Sequence, residues 1–341
     1  MNILLLQLKR IGDLVLTTPA IAAIRAHYPA AKITLVVSAG CADLLQTIEG
    51  IDCAMVARGS SRDLNVWLTL ARGGFDFCVD FTRNDRSAFL TLLSRARRRI
   101  TSDRVQVRAR TRSLFYNELV PASVRQLHTV DYHLALLRPL GITEAPQNVR
   151  LALPAAERTC ADEILRAAGV EQPFVIVHPG SARAEKFWET DRWARVIEHC
   201  ASQHLQCVVT GSGSALEQRY IAAIKAASRA PFVDLSGTVG LSTLAAVLAR
   251  ARLLVTVDSA PVHLAAAMHT PQVVLFGPTN PFHWRPRCTP AVVLQAGQAR
   301  PLLEFTPEMH GAPMNQISTQ QVIDAMESLL SAPAAPAHER T

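Results

Sequence analysis

Short apolar runs alternate with helix-like stretches along almost the whole chain, and that rhythm leaves few folds open. In the first half the runs Asn2–Leu8, Ile33–Ser38, Cys53–Ala57 and Phe75–Phe81 are separated by helix-like segments around Thr18–His27, Cys41–Ile48, Asp63–Ala71 and Asp85–Ala96. In the second half Phe174–His178, Leu205–Thr210, Phe232–Leu235, Leu253–Val257 and Gln272–Phe276 read as strands. Helices are expected there around Asp191–Ser202, Ala215–Ala226, Leu241–Ala249 and Val262–Met268. Strands that are apolar throughout are buried on both faces, which requires a parallel sheet with helices on either side. The seam falls around Asn148–Thr159, before a helix near Cys160. The pattern predicts an α/β protein of two doubly wound domains, residues 1–155 and 156–316, facing each other across a cleft. Ligands bind at the carboxyl edge of such open sheets. An amphipathic helix is expected over Thr319–Leu330, within residues 317–331, and the Pro/Ala-rich residues 332–341 read as a disordered tail.

With 341 residues the chain can bury two cores of ordinary size, and 49% hydrophobic with 18% charged residues suits a soluble protein rich in buried sheet. No apolar run approaches the roughly 18 residues that suggest a membrane span. Ile3-Leu4-Leu5-Leu6 is too short for a signal peptide, and Lys9 and Arg10 follow it rather than precede it. A cytoplasmic protein is expected. The seven cysteines form no Cys-x-x-Cys pair, so neither a disulfide framework nor a zinc site is indicated.

The net charge of +7 is concentrated: ten arginines and two aspartates lie between Arg83 and Arg112, and the rest of the chain is close to neutral. Such a patch points to an acidic partner, either a phosphorylated saccharide or an anionic membrane surface. The alternative is a solvated helix end and loop. Nucleic acid is not expected, because the patch is poor in aromatic residues and no nucleic-acid motif accompanies it.

Four segments carry candidate chemistry. Val255-Thr256-Val257-Asp258-Ser259-Ala260-Pro261-Val262-His263 reads as a strand delivering a helix N-terminus, whose free N–H groups and positive dipole end suit a phosphate. Ser259 is placed to cap that helix, and Pro261 fits its first turn. Strand Asn2–Leu8 runs into Lys9-Arg10-Ile11-Gly12-Asp13, where Asp13 is either a base or a helix cap. Val177-His178-Pro179-Gly180-Ser181 ends a third strand, with Lys186 a short way on as a point charge for phosphate. Gly211-Ser212-Gly213, with Asp234 further along, is a partial dinucleotide fingerprint that lacks its third glycine, since Leu216 stands there. No Walker motif, Asp-x-Asp pair or Gly-x-Ser-x-Gly elbow occurs. No metal and no cofactor are therefore expected.

Four blocks in order along the chain resemble the heptosyltransferase family, glycosyltransferase family 9. They are Lys9–Ala20, His178–Ser181 with Lys186 and Trp188, Asp258–Ala267, and Phe276–Pro281 with Trp284 and Pro286. The resemblance implies a GT-B architecture, with the acceptor on the N-terminal domain and the nucleotide sugar mainly on the C-terminal one. It also implies that the final helix crosses back to pack on the first domain. The implied activity is transfer of heptose from ADP-heptose to the inner core of lipopolysaccharide, an acidic lipid-linked saccharide, by an enzyme at the inner face of the cytoplasmic membrane.

By matching position, the resemblance makes Asp13 the general base. Lys186 and the turn Ser259, Ala260 and His263 would hold the diphosphate, Asp258 would face the donor sugar and Glu217 the ribose. Ser181 completes the donor set, and Lys9, Arg10 and Arg83 are the acceptor candidates. Ala260 departs from a frequent glycine, and Ala182 offers no hydroxyl beside Ser181. Three alternatives stay open: a family member using another nucleotide sugar or acceptor, a non-catalytic binder of nucleotide sugars, and a dehydrogenase using Gly211–Gly213.

Overall fold

The computed structural model describes residues 1–332 apart from 60, 109, 124, 172 and 305–310. The chain divides into two compact units, Met1–Ala152 and Leu153–Thr341. The first is built on strands β1 Asn2–Gln7, β2 Lys32–Ser38, β3 Cys53–Ala57, β4 Phe77–Asp80, β5 Arg98–Ser102 and β6 Glu118–Val120. All pair in parallel, in the order β3-β2-β1-β4-β5-β6. The second unit has β7 Phe174–His178, β8 Gln206–Val209, β9 Val233–Asp234, β10 Leu253–Val257, β11 Gln272–Phe276 and β12 Ala291–Gln295. These are parallel too, in the order β12-β11-β10-β7-β8-β9.

Each sheet begins at its centre, winds to one edge, then returns to fill the other side. The winding direction reverses between β1 and β4, and again between β7 and β10. Connections leave such a reversal toward opposite faces, which opens a crevice at the carboxyl ends of the two strands.

The cores follow the expected pattern. Ile3 to Leu6 on β1 and every residue of β7, β10 and β11 are buried. Trp188 and Trp193 pack edge to face under the second sheet, within the cluster that holds Val175, Val255 and Leu275. Cys78 and Cys207 are buried free thiols, and burial pushes the Cys78 pKa up to about 12. They act as small hydrophobes.

Strands β5, β6 and β12 lie outside the sequence expectations. β5 starts at Arg98-Arg99, residues that read as part of the basic patch for an acidic partner. The Arg98 guanidinium instead pairs with Glu118 on β6 and lies 5.0 Å from the Phe77 ring centroid on β4. Arg99 donates to the carbonyls of Phe115 and Ala96. Long aliphatic stems cover the sheet while the charged heads find partners at its edge. The stretch Ala39–Thr47 is a 3-10 helix, and short helices at Ile11–Val15 and Thr129–Ala135 were not anticipated.

The helix Thr319–Leu330 forms where expected, with Ser318 and Gln321 as a capping box. Its packing corrects the expectation that it crosses back to the first domain. Val322, Ala325 and Met326 are buried in the core of the second unit. The segment leading into it is pinned there as well, because Trp188 Nε1 donates to Ile317 O at 2.9 Å. Its apolar stripe is satisfied locally, beside Thr190–Ser202 and β10 to β12. Of the tail expected to be disordered, residues 333–341 lie outside the described residues.

Met326 is fully buried, so Met326→Ala should destabilise the protein by about 2–5 kcal/mol. Thermal unfolding of the full chain checks this; a change below about 0.5 kcal/mol, the range of surface substitutions, would remove the helix from the core.

Candidate active site

The reversal between β1 and β4 carries the first group of candidates. After β1 the chain turns through Lys9 and Arg10 into the short helix Ile11–Val15, with Arg10 at its N-cap. Asp13 is therefore in the first turn and does not occupy the cap position. Its carboxylate pairs with Lys9 Nζ at 3.5 Å, and both side chains remain partly exposed. The backbone behind it is tightly held. Thr17 Oγ1 donates to Asp13 O at 2.7 Å, and Gln7 Nε2 donates to Thr17 Oγ1 at 2.7 Å.

His133, from the helix Thr129–Ala135, closes this network. Its Nδ1 lies 3.0 Å from Leu16 O and 3.2 Å from Thr17 Oγ1. A carbonyl oxygen only accepts, so Nδ1 carries the proton. Burial, aided by the Lys9 charge, lowers the His133 pKa to about 4. The ring is neutral at physiological pH and acts as a fixed donor behind the Asp13 turn.

β4 contributes Arg83 through a buried carboxylate. Asp80 Oδ1 accepts from the N–H groups of Thr82 and Arg83 at 2.8 and 3.1 Å, and Oδ2 accepts from Ser87 Oγ and Tyr116 Oη at 2.7 and 2.5 Å. Burial raises the Asp80 pKa above the usual carboxylate range, against these bonds. They hold Arg83 at a φ of 63°, uncommon for a residue with a Cβ. Its guanidinium lies 4.8 Å from the centroid of the Tyr132 ring. This arginine is positioned by its surroundings.

The arginine-rich run does not form one bare patch. Arg83 and Arg104 follow the carboxyl ends of β4 and β5, whereas Arg95 and Arg97 precede the amino end of β5. Arg86 pairs with Asp63 at 3.6 Å, Arg97 with Asp76 at 3.7 Å, and Arg112 with Asp85.

The reversal between β7 and β10 gathers the second group. Lys186 follows β7 and Asp258 follows β10, and the two are only 8% and 7% exposed. Lys186 Nζ donates to Asp258 Oδ2 at 2.5 Å and to Asp258 O at 2.8 Å. Thr279, after β11, donates its hydroxyl to the same Oδ2 at 2.7 Å. A buried ammonium is thus held by a carboxylate and a carbonyl where three loops converge.

Ser259 occupies the N-cap of the helix Ala260–Ala267 but makes no side-chain cap bond. This corrects the capping expectation: its hydroxyl turns back to Val257 O at 3.2 Å. Ala260 opens the helix half-buried, and His263 lies buried one turn on. Ser181 is buried beyond β7 and accepts from Arg183 N at 3.3 Å.

Glu217 completes this group. Ser214 caps its helix, and the Glu217 carboxylate accepts from Ser212 N at 2.7 Å. A Cβ on Gly180 would stand 2.4 Å from Glu217 Oε2, so only glycine lets the acid approach the end of β7. The Gly211 turn is occupied in the same way, since a Cβ there would meet Ile221 at 2.7 Å. The loop that resembles a dinucleotide fingerprint gives its Ser212 N–H to an acid instead of leaving it for a pyrophosphate. Asp234 accepts from Ser236 N and Oγ.

Thr17, Asp80, His133 and Thr279 were not singled out from the sequence. Asp80 closes an apolar strand and Thr279 stands in the Gly277-Pro278-Thr279-Asn280 block, so both left a signal. A lone histidine in a short helix leaves none. Among the described residues, no group of three or more His, Cys, Asp or Glu side chains is placed to hold a metal ion.

The sequence profile of "Glycosyltransferase family 9 (heptosyltransferase)" matches residues 64–308. The chain is 27% identical over 336 residues to lipopolysaccharide heptosyltransferase 3 of Escherichia coli (strain K12), covering 94% of this chain and 95% of that protein. It is 23% identical to the lipopolysaccharide core heptosyltransferase OpsX of Haemophilus influenzae, over 84% of this chain and 81% of that one. Among solved structures, the glycosyl transferase family 9 protein of Veillonella parvula DSM 2008 superposes with a TM-score of 0.83 at 23% identity, over 96% and 97% of the two chains. E. coli ADP-heptose lps heptosyltransferase II gives 0.79 at 21% identity, over 97% and 98%. A profile that spans most of the chain, on two doubly wound sheets of the GT-B type, decides the matter: the protein is an enzyme of glycosyltransferase family 9, the heptosyltransferases.

Proposed function

We propose that the protein transfers heptose from ADP-heptose to the inner core of lipopolysaccharide, with inversion at the anomeric carbon and without a metal ion. The observation that carries this reading is the buried Lys186, a cationic side chain at the second sheet's reversal, where a nucleotide diphosphate fits. Without donor, the carboxylate and the carbonyl of Asp258 hold the ammonium in place, and Thr279 donates to that carboxylate. With donor bound, the diphosphate oxygens take up bonds from Lys186 Nζ and the first turn of the helix Ala260–Ala267, and Asp258 turns its acceptor capacity to sugar hydroxyls. Glu217, buried beside Gly180, accepts from the ribose.

In the transfer step an acceptor hydroxyl oxygen bonds to the anomeric carbon, and Asp13 takes its proton. The bond from that carbon to the phosphate oxygen breaks on the opposite face, and its electron pair leaves with ADP. Negative charge grows on the departing phosphate as this happens. A fixed ammonium and a helix N-terminus stabilise it most in the transition state, which is the condition for acceleration. In the first unit, Lys9, Arg10 and Arg83 attract the acid groups of the acceptor. An anionic group that pairs with Lys9 releases the Asp13 carboxylate to act as base.

Three outcomes are expected. Asp13→Ala keeps ADP binding and loses transfer by about 10²–10⁴-fold, the usual contribution of a general base; near-normal turnover would remove Asp13 from the chemistry. For Lys186→Ala, weaker ADP binding by calorimetry and slower transfer should appear together, and an unchanged ADP titration would sink the phosphate role. Chelation by EDTA should leave the rate unchanged, whereas activity lost to EDTA and restored by magnesium contradicts the metal-free reading.

A further inference from the structure

Four of the eight exposed large hydrophobic side chains among the described residues come from two neighbouring helices of the first unit. They are Leu64 and Leu68 at 55% and 41% exposure, and Phe89 and Leu92 at 44% and 45%. The helices Leu64–Arg72 and Asp85–Leu93 pack on the same side of the first sheet, in one cluster with Leu4, Leu6 and Cys78. Trp67 meets Phe89 edge to face across the seam, with ring centroids 5.7 Å apart. Spacing of three and four residues places Leu64, Leu68 and Arg72 on one stripe and Phe89 and Leu92 on the other, and Arg95 follows two residues past the end of the second helix at a φ of 51°. The outward face therefore presents large apolar side chains on both helices, with Asn65 and Thr69 beside those of the first, and ends in exposed arginines.

Residues 61–99 carry eight arginines and four aspartates, and two of those aspartates, Asp63 and Asp80, are buried. The other two, Asp76 and Asp85, are paired with Arg97 and Arg112. A contiguous apolar surface of this kind marks an interaction site. The arginines at its end decide the occupant. An anionic lipid surface accepts both features, since apolar side chains enter the boundary of headgroups and acyl chains while arginines meet phosphate groups.

We infer that the face formed by Leu64, Leu68, Phe89 and Leu92, with Arg72 and Arg95 at its end, docks the enzyme on an anionic phospholipid membrane. This deepens the reading of a lipid-linked acceptor under the proposed function but is tested apart from it, because docking needs neither donor nor acceptor. Arg95 and Arg72 lie at the C-terminal ends of their helices, beside the amino ends of the strands, away from the loops that carry Asp13 and Arg83. They form no part of the transfer machinery described above.

The experiment is co-sedimentation of the full chain with phosphatidylcholine vesicles, with and without phosphatidylglycerol. The wild type should bind the anionic vesicles, and salt should weaken that binding. Leu68→Ser/Phe89→Ser/Leu92→Ser and, separately, Arg72→Glu/Arg95→Glu should each lower the partition constant about tenfold or more. The control Leu303→Ser, another exposed leucine, should match the wild type. Transfer to a lipid-free acceptor saccharide should be unchanged in both test variants, so failure of docking is distinguishable from failure of the proposed reaction. Wild-type binding by both variants overturns the inference. So does an absence of vesicle binding joined to a dimer, seen by sedimentation velocity, that the serine variant dissociates.

Discussion

An ammonium group cannot stay buried without a partner, and the pair formed by Lys186 and Asp258 organises the second unit's edge around that requirement. Removing either partner would strand a charge in a nearly dry site, a cost of about 3–5 kcal/mol. The pair ties the loop after β7 to the loop after β10, and Thr279 adds the loop after β11. The three strands involved are neighbours only because the sheet reverses its winding there. Topology brings the loops together and electrostatics fixes them. The same logic operates in the first unit with a different group: Asp80, buried and fully bonded, fixes the turn that presents Arg83, while His133 and Thr17 fix the turn that presents Asp13.

Both edges are built before substrate arrives. The Asp13 turn is held from behind by a neutral histidine, a threonine and a glutamine, none of which changes charge near pH 7. Gly180 and Gly211 allow Glu217 to stand against the ends of β7 and β8. Under the proposed function, groups held by such fixed scaffolding need little rearrangement as charge moves, which is where electrostatic catalysis gains most.

Much of this was legible in the sequence, for identifiable reasons. Continuous apolar runs marked β1, β2, β7, β10 and β11, because strands buried on both faces have no polar side to show. Strand-to-helix turns with small residues marked the positions of Asp13, Ser181 and Asp258. Charge patterning misled where side chains were amphipathic: Arg98 and Arg99 read as members of a basic patch for a partner, yet their stems cover a sheet and their heads are bonded within the unit. The run from Arg83 to Arg112 read as one patch because sequence distance hides that a strand and a helix carry its members to opposite ends of the sheet. The Ser259 cap failed because its hydroxyl bonds Val257 O, a choice between two local acceptors and donors that spacing does not reveal. The final helix was placed on the wrong unit because an amphipathic stripe says that a face is buried, not against what.

The central claim is that the buried Lys186 ammonium is the diphosphate site. A crystal structure of the protein with ADP tests it most directly. The expected result places a β-phosphate oxygen within about 3 Å of Lys186 Nζ, hydrogen-bonding distance, with the first turn of the helix Ala260–Ala267 facing the same phosphate. ADP bound elsewhere, with Lys186 still held by Asp258 as it is without ligand, would contradict the account.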